Sequence, residues 1–272
     1  VADLVTIRDL RIAYRDSHGD AVPAVKGVDL TLRAGVRYGL VGESGSGKST
    51  VVRSLVGLIR PPAELTASEY DLGGHHILTA SARELRGMRG KTVAYIPQNP
   101  FGALHPVLTV GDQLHRYLKA HGATTGWAQS AEKSAVALRA LGIADPLRVL
   151  EGPAGALSGG MAQRVVIAMS KMLHPQLVVA DEPTTALDVT VQKQVLELIA
   201  SPRLEDRHAL LLTTHDLGVV AQYCDEVFVM YRGEIVERGL VSTVFTRPTH
   251  EYTEHLLSAA PKSRFNAQEA VA

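Results

Sequence analysis

Between Gly42 and Thr50 the chain reads Gly-Glu-Ser-Gly-Ser-Gly-Lys-Ser-Thr, a spacing that fits phosphate chemistry. Gly42, Gly45 and Gly47 allow positive φ values and a close approach that side chains would block, so successive N–H groups, those of Ser46 and Thr50 included, can turn toward phosphate oxygens. Lys48 offers a cation to the β and γ phosphates, and the Ser49 hydroxyl is a hard oxygen suited to Mg²⁺. A plain glycine-rich turn would look similar in isolation. The flanks separate the two: the apolar run Val36 to Val41 predicts a strand before the loop, and Val51 to Ile59 predicts a helix after it, adding the positive end of a helix dipole.

Two further stretches carry chemistry. Leu177 to Ala180 is an apolar run that delivers Asp181 and Glu182 at its C-terminal end, the end where open α/β sheets bind ligands. Asp181 suits a Mg²⁺ ligand, direct or through water, and Glu182 suits a general base that polarises an attacking water. An acidic pair after a strand is more often a helix cap or a solvated loop; the cradle upstream reverses that preference. Leu157-Ser158-Gly159-Gly160-Met161-Ala162-Gln163 opens a helix with a hydroxyl and two glycines, a second place where N–H groups could meet phosphate. An ordinary Ser N-cap explains Ser158 equally well by itself.

The elements that must hold these residues alternate in type. Short strands are expected at Leu4 to Ile7, Leu10 to Tyr14 and Val28 to Leu32, with a turn over Asp16 to Asp20, giving a small antiparallel sheet before the cradle. Glu69 to Leu78 reads as a hairpin around Gly73-Gly74, and Val93 to Ile96 as a buried strand. Between Gln98 and Leu157 the pattern turns helical, with Val110 to His121 and Trp127 to Leu141 as helices. Alternation then resumes: helix Gly160 to Leu173, strand Leu177 to Ala180, helix Val189 to Ile199, strand Ala209 to Thr213, helix Leu217 to Tyr223, strand Glu226 to Tyr231. Such alternation predicts an α/β fold, a mostly parallel sheet with helices on both faces.

Composition narrows the classes. With 272 residues and 46% hydrophobic residues the chain can fill a large core, and 28 basic against 28 acidic side chains advertise no nucleic-acid partner. Cys224 is the single cysteine, which excludes an internal disulfide framework or an all-cysteine metal site and fits a reducing compartment. No apolar stretch reaches the roughly twenty residues of a membrane span, and Asp3, Arg8 and Asp9 interrupt what would be a signal-peptide core. A soluble chain in the cytoplasm is expected.

The cradle, "LSGGMAQ" and "VVADEPTTALD", in that order, resemble the nucleotide-binding subunits of ATP-binding-cassette transporters, and the match extends from the first strands to about Gly239. The resemblance implies a P-loop NTPase core at 1–97 and 160–240, with an N-terminal antiparallel β-subdomain and an inserted helical lobe at 98–159. A short C-terminal extension follows at 241–272. Its last residues, Lys262 to Ala272, are expected to be loosely ordered, as chain ends commonly are.

For the site, the resemblance implies that Tyr14 stacks on adenine, although an aromatic at a strand end fits a core position equally. Gln98 joins the Mg²⁺ shell and links the lobes, and His215 contacts the γ phosphate and steadies the attacking water. Asp188 contacts the opposite subunit. Ser158, Gly159, Gly160 and Gln163 of one subunit complete the ATP site that Lys48, Asp181 and Glu182 build in another.

Two stretches, "QNPFGALHPVLTVGDQL" and "RPTHEYTEHLLSAAP", resemble the oligopeptide, dipeptide and nickel import branch. That branch implies an ATP-hydrolysing motor on the cytoplasmic face of the cell membrane, with Mg²⁺, a second and related nucleotide-binding subunit, two permeases and an extracytoplasmic binding protein. Phe101, Leu104 and Leu108 would then lie in a groove for a permease helix, or equally in the core of the lobe. Many peptide-importing relatives carry a cysteine-bearing C-terminal extension that does not follow Pro261 here, which moves the expectation toward nickel or metal-chelate cargo. A soluble cassette ATPase uncoupled from transport is the alternative, and a small-molecule kinase has no use for "LSGGMAQ".

Overall fold

The computed structural model describes residues 3–185, 188–200 and 208–259. These fall into two compact units, one within Val1–Arg86 and Glu205–Ala272, the other within Gly87–Leu204. In chain order, the first part comprises β1 (Asp3–Arg15), β2 (Ala21–Arg33), β3 (Arg37–Val41), α1 (Lys48–Leu55), β4 (Glu64–Thr66), β5 (Glu69–Leu72), β6 (His75–His76) and α2 (Ala82–Met88). Then come β7 (Val93–Ile96), α3 (Val110–Ala120), α4 (Trp127–Ala140), α5 (Pro146–Glu151), α6 (Gly159–Lys171), β8 (Leu177–Asp181) and α7 (Val189–Ala200). The chain returns through β9 (Ala209–Thr214), α8 (Leu217–Tyr223), β10 (Glu226–Tyr231), β11 (Glu234–Leu240), α9 (Val241–Thr246) and α10 (Glu251–Ala259).

In the first unit, β1 pairs antiparallel with β2, β4 and β5, and β5 with β6. The two short strands expected at the start are one bulged strand. Val5 and Ile7 are buried before the irregularity, Leu10 and Ile12 after it, so the inward face changes phase. Asp9 takes the extra step at φ +51, and its N–H donates to Asp29 Oδ1 at 2.8 Å. A bulge lets one strand continue while its burial alternation slips by a residue.

A second sheet in this unit runs β11-β10-β3-β9, with β10, β3 and β9 parallel and β11 antiparallel at the edge. Its strand β3 is buried from Tyr38 to Val41, the near-continuous apolar run expected of a strand covered on both faces.

In the second unit β7 and β8 pair in parallel. Helices α3, α4 and α5 pack on one another, and α6 touches both α4 and β7. The compact unit is therefore wider than the expected lobe at 98–159, because α6 ties the helices to the strand. Among the expected lobe-core residues Leu104 is buried, whereas Phe101 is exposed. The expected loose end at Lys262 to Ala272 lies outside the described residues.

Candidate functional site

The loop from Gly42 to Gly47 joins β3 to α1, as its flanks predict, with Gly42, Gly45 and Gly47 at φ +153, +80 and +107. A Cβ on Gly42 would stand 2.1 Å from the Met230 carbonyl oxygen, and one on Gly47 would stand 2.6 Å from the Ala24 carbonyl oxygen. At Gly45 a Cβ would meet nothing within 4 Å, so only the backbone conformation demands glycine there. The Lys48 side chain folds back over this loop, 4% exposed, donating to the carbonyl oxygens of Gly42 at 2.7 Å and Glu43 at 2.9 Å. A buried ammonium aimed into a loop of backbone amides suits an anionic ligand. Ser46 adds a second sign: its hydroxyl is buried without a hydrogen-bond partner among the described residues. Gly47, with no side chain, stands at the N-cap of α1 and offers that helix end no side-chain hydrogen bond. A cradle closed to Cβ atoms at Gly42 and Gly47, an orphaned hydroxyl and a buried cation fit phosphate. Ser49 and Thr50 begin the helix behind it.

In the second unit β8 ends at Asp181, 4% exposed, with Oδ2 accepting the Tyr95 hydroxyl at 3.2 Å. Glu182 leaves the strand at φ +43, a left-handed conformation that costs a non-glycine residue on the order of 1 kcal/mol. Its Oε2 accepts from Gln98 Nε2 at 3.3 Å and from Thr185 Oγ1 at 3.1 Å. The structure thus brings Gln98 to the carboxylate, joining two residues far apart in sequence. Ser49, Asp181 and Gln98 are oxygen donors of the kind Mg²⁺ takes, alongside substrate phosphates and water.

Ser158 N-caps α6, accepting from Met161 N at 3.3 Å, and is exposed. Gly159 and Gly160 follow it in the first turn, and a Cβ on Gly160 would sit 3.1 Å from Val191 Cγ1. Asp188, exposed, accepts from Val191 N at 3.0 Å at the start of α7. Gln163 departs from expectation. It is 1% exposed, and neither amide atom has a partner among the described residues, so its side chain lies in the interior rather than on the exposed surface that Ser158 occupies. In the first unit His215 is exposed just after β9, and Tyr14 is half-buried on β1, paired across the sheet with Val22.

Three partners escaped sequence reasoning. Thr185 was within reach of it, since a hydroxyl three residues after Glu182 is a familiar local pairing. Tyr95 and Tyr252 were not; nothing local says which side chains face Asp181 and the phosphate loop.

A glycine-lined loop between a parallel strand and a helix, closed on a buried lysine, defines a P-loop nucleotide-binding α/β protein. Residues 25–185 match the family model described as ABC transporter. The peptide ABC transporter ATP-binding protein y4tR of Sinorhizobium fredii, described as probable, is 42% identical over 268 residues, 97% of this chain and 79% of that protein. The oligopeptide transport ATP-binding protein OppD of Salmonella typhimurium is 41% identical over 259 residues, 95% of this chain and 76% of that protein. The dimeric ABC cassette MJ0796 in a post-hydrolysis state bound to ADP and Pi superposes with a TM-score of 0.76 at 23% identity, covering 87% of this chain and 98% of the other. The chain belongs to the ABC transporter family and is an ATPase of that family. No helix among the described residues is long and apolar enough to cross a membrane.

Proposed function

We propose that this chain is the ATP-hydrolysing motor subunit of a peptide importer, held at the cytoplasmic face of the membrane by two permeases and served by an extracytoplasmic binding protein. The buried Lys48 ammonium, bound to its own loop carbonyls beside the unpartnered Ser46 hydroxyl, carries the nucleotide part of the proposal. The peptide part rests on relatives named for peptide, dipeptide and oligopeptide transport.

In the proposed reaction Lys48 trades its loop carbonyls for phosphate oxygens, and the loop N–H groups orient the triphosphate. Ser49, Asp181 and Gln98 are the residues that would hold Mg²⁺, which when bound neutralises charge on the phosphate oxygens. Glu182, steadied by Gln98 and Thr185, accepts a proton from the attacking water, and His215 orients that water. Tyr14 stacks on the adenine. Ser158, Gly159, Gly160 and Asp188 serve the ATP site of a second, related nucleotide-binding subunit, so that ATP bridges the two and its hydrolysis releases them. The domain division at 1–240 and 241–272 belongs to the same proposal.

The test is reconstitution of the chain with its permeases in lipid vesicles. ATP hydrolysis is expected to rise when a binding protein loaded with a di- or oligopeptide is added. Stimulation by a nickel-loaded protein instead would overturn the cargo assignment, and hydrolysis indifferent to the permeases would favour a soluble ATPase.

A further inference from the structure

The hydroxyl of Tyr252, on α10, accepts the backbone N–H of Glu43 at 3.0 Å, far away in sequence but on the phosphate loop. That N–H and the Gly42 carbonyl belong to one peptide plane, and in a trans peptide they point to opposite sides. On the other side the Gly42 oxygen accepts Lys48 Nζ at 2.7 Å. One rigid peptide is therefore gripped at both edges, by the lysine within the cradle and by the tyrosine outside it.

The outer grip is itself fixed. The Tyr252 ring is buried and stacks on Tyr231, with centroids 4.1 Å apart. Arg232 lies over the other ring at 4.9 Å, and the neighbouring Gly233 N–H donates to the Ser46 carbonyl at 2.9 Å, a second tie from the same turn to the same loop. Ahead of α10, Glu237 on β11 accepts from Thr249 N at 2.8 Å and His250 N at 3.2 Å, and His250 Nδ1 accepts from Tyr252 N at 3.1 Å. The start of α10 is thereby held to the sheet that carries the cradle.

We infer that Tyr252 is a positioning residue for nucleotide binding: its hydroxyl holds the Gly42–Glu43 peptide in the orientation from which Lys48 and the loop amides meet phosphate. When Lys48 leaves the Gly42 carbonyl for a phosphate, the tyrosine remains as the restraint on that peptide, so the loop stays organised while the lysine moves. The inference rests on the proposal that this loop binds ATP.

Tyr252→Phe removes the hydroxyl and keeps the stacked ring. In the purified full chain, calorimetric titration with ATP should show Kd raised roughly two- to tenfold, the range of one lost hydrogen bond, with an unchanged number of sites. In hydrolysis assays KM for ATP should rise by a similar factor, while kcat changes less. The wild-type titration tests the nucleotide proposal separately. If the wild type binds no ATP, that proposal falls and takes this one with it. If the wild type binds and the Phe variant shows the same Kd, the positioning role is overturned, whatever happens to Tm. A variant that shows fewer sites at unchanged Kd is partly unfolded and counts against the role as well, because only stability has then been lost.

Discussion

Two glycine-bearing helix entrances face opposite demands in this molecule. The loop before α1 is finished from within: Gly42 and Gly47 lie against carbonyl oxygens, its lysine is buried on its own backbone, and the turn after β10 ties it in place. The entrance to α6 is a Ser N-cap on an exposed serine, with space for a Cβ at Gly160 short of a severe clash. The first holds an anion cradle within one chain; in the proposed arrangement the second acquires a use only when another subunit's nucleotide is brought to it. Phosphate binding should therefore be a property of the chain alone, and turnover a property of an assembly.

The largest effect expected tests that separation directly. Glu182→Gln should keep ATP affinity near wild type while cutting hydrolysis by roughly 10²- to 10⁴-fold, the worth of a general base, measured by phosphate release. Normal turnover in that variant would remove the base role. Next, Lys48→Ala and Ser158→Arg should part company. The first should weaken ATP binding by about 1.5–3 kcal/mol, the value of a charged hydrogen bond. The second should leave binding to the isolated chain unchanged and yet prevent the proposed closure onto a second nucleotide-binding subunit, as read by ATP-dependent association of the two in light scattering. Equal binding losses in both would erase the contrast between the two entrances.

Stability should follow the same contrast. Gly42→Ala places a Cβ on a backbone oxygen at a positive φ and should cost about 1–3 kcal/mol, whereas at Gly160 the helix preference for Ala of about 1 kcal/mol offsets the tighter contact with Val191. Comparing denaturant midpoints of the two variants checks this.

The smallest effect concerns the strap that carries Tyr252. Burial alone would raise the Glu237 carboxyl, but the hydrogen bonds from Thr249 and His250 hold it below its ordinary value of 4.5. A depressed carboxyl contributes stability above its unfolded pKa and loses it as pH falls through the folded one. Glu237→Gln should therefore flatten the fall of Tm below about pH 4.5 slightly and leave neutral-pH nucleotide affinity unchanged. A slope identical to wild type would show that the carboxylate contributes nothing to the anchoring of α10.

Some of the architecture was legible because its cause is local. The expected strands at Val93–Ile96 and Glu226–Tyr231 and the helix at Leu217–Tyr223 fall where the apolar runs and the Asp216 cap put them. The expected start of α6 is off by one residue, within the fraying of any helix end. By contrast β11 reads Glu-Ile-Val-Glu-Arg-Gly-Leu, too charged to announce a strand, and exists because β10 offers it an antiparallel edge. The helices α2 and α5 are short, and short helices have little periodicity to display.

The sequence by itself determined the chemistry of the phosphate loop, since glycine spacing and a following lysine act through backbone conformation and charge, both local properties. It also determined the strand that delivers Asp181 and Glu182. Only the tertiary structure decided which distant side chains hold those groups in place: Gln98 on Glu182, Tyr95 on Asp181, and Tyr252 on the peptide that Lys48 grips. It also sent Gln163 into the interior while Ser158 stayed exposed. Hydrogen bonds between residues distant in the chain depend on how elements pack, and packing is a sum over many contacts that no short motif contains.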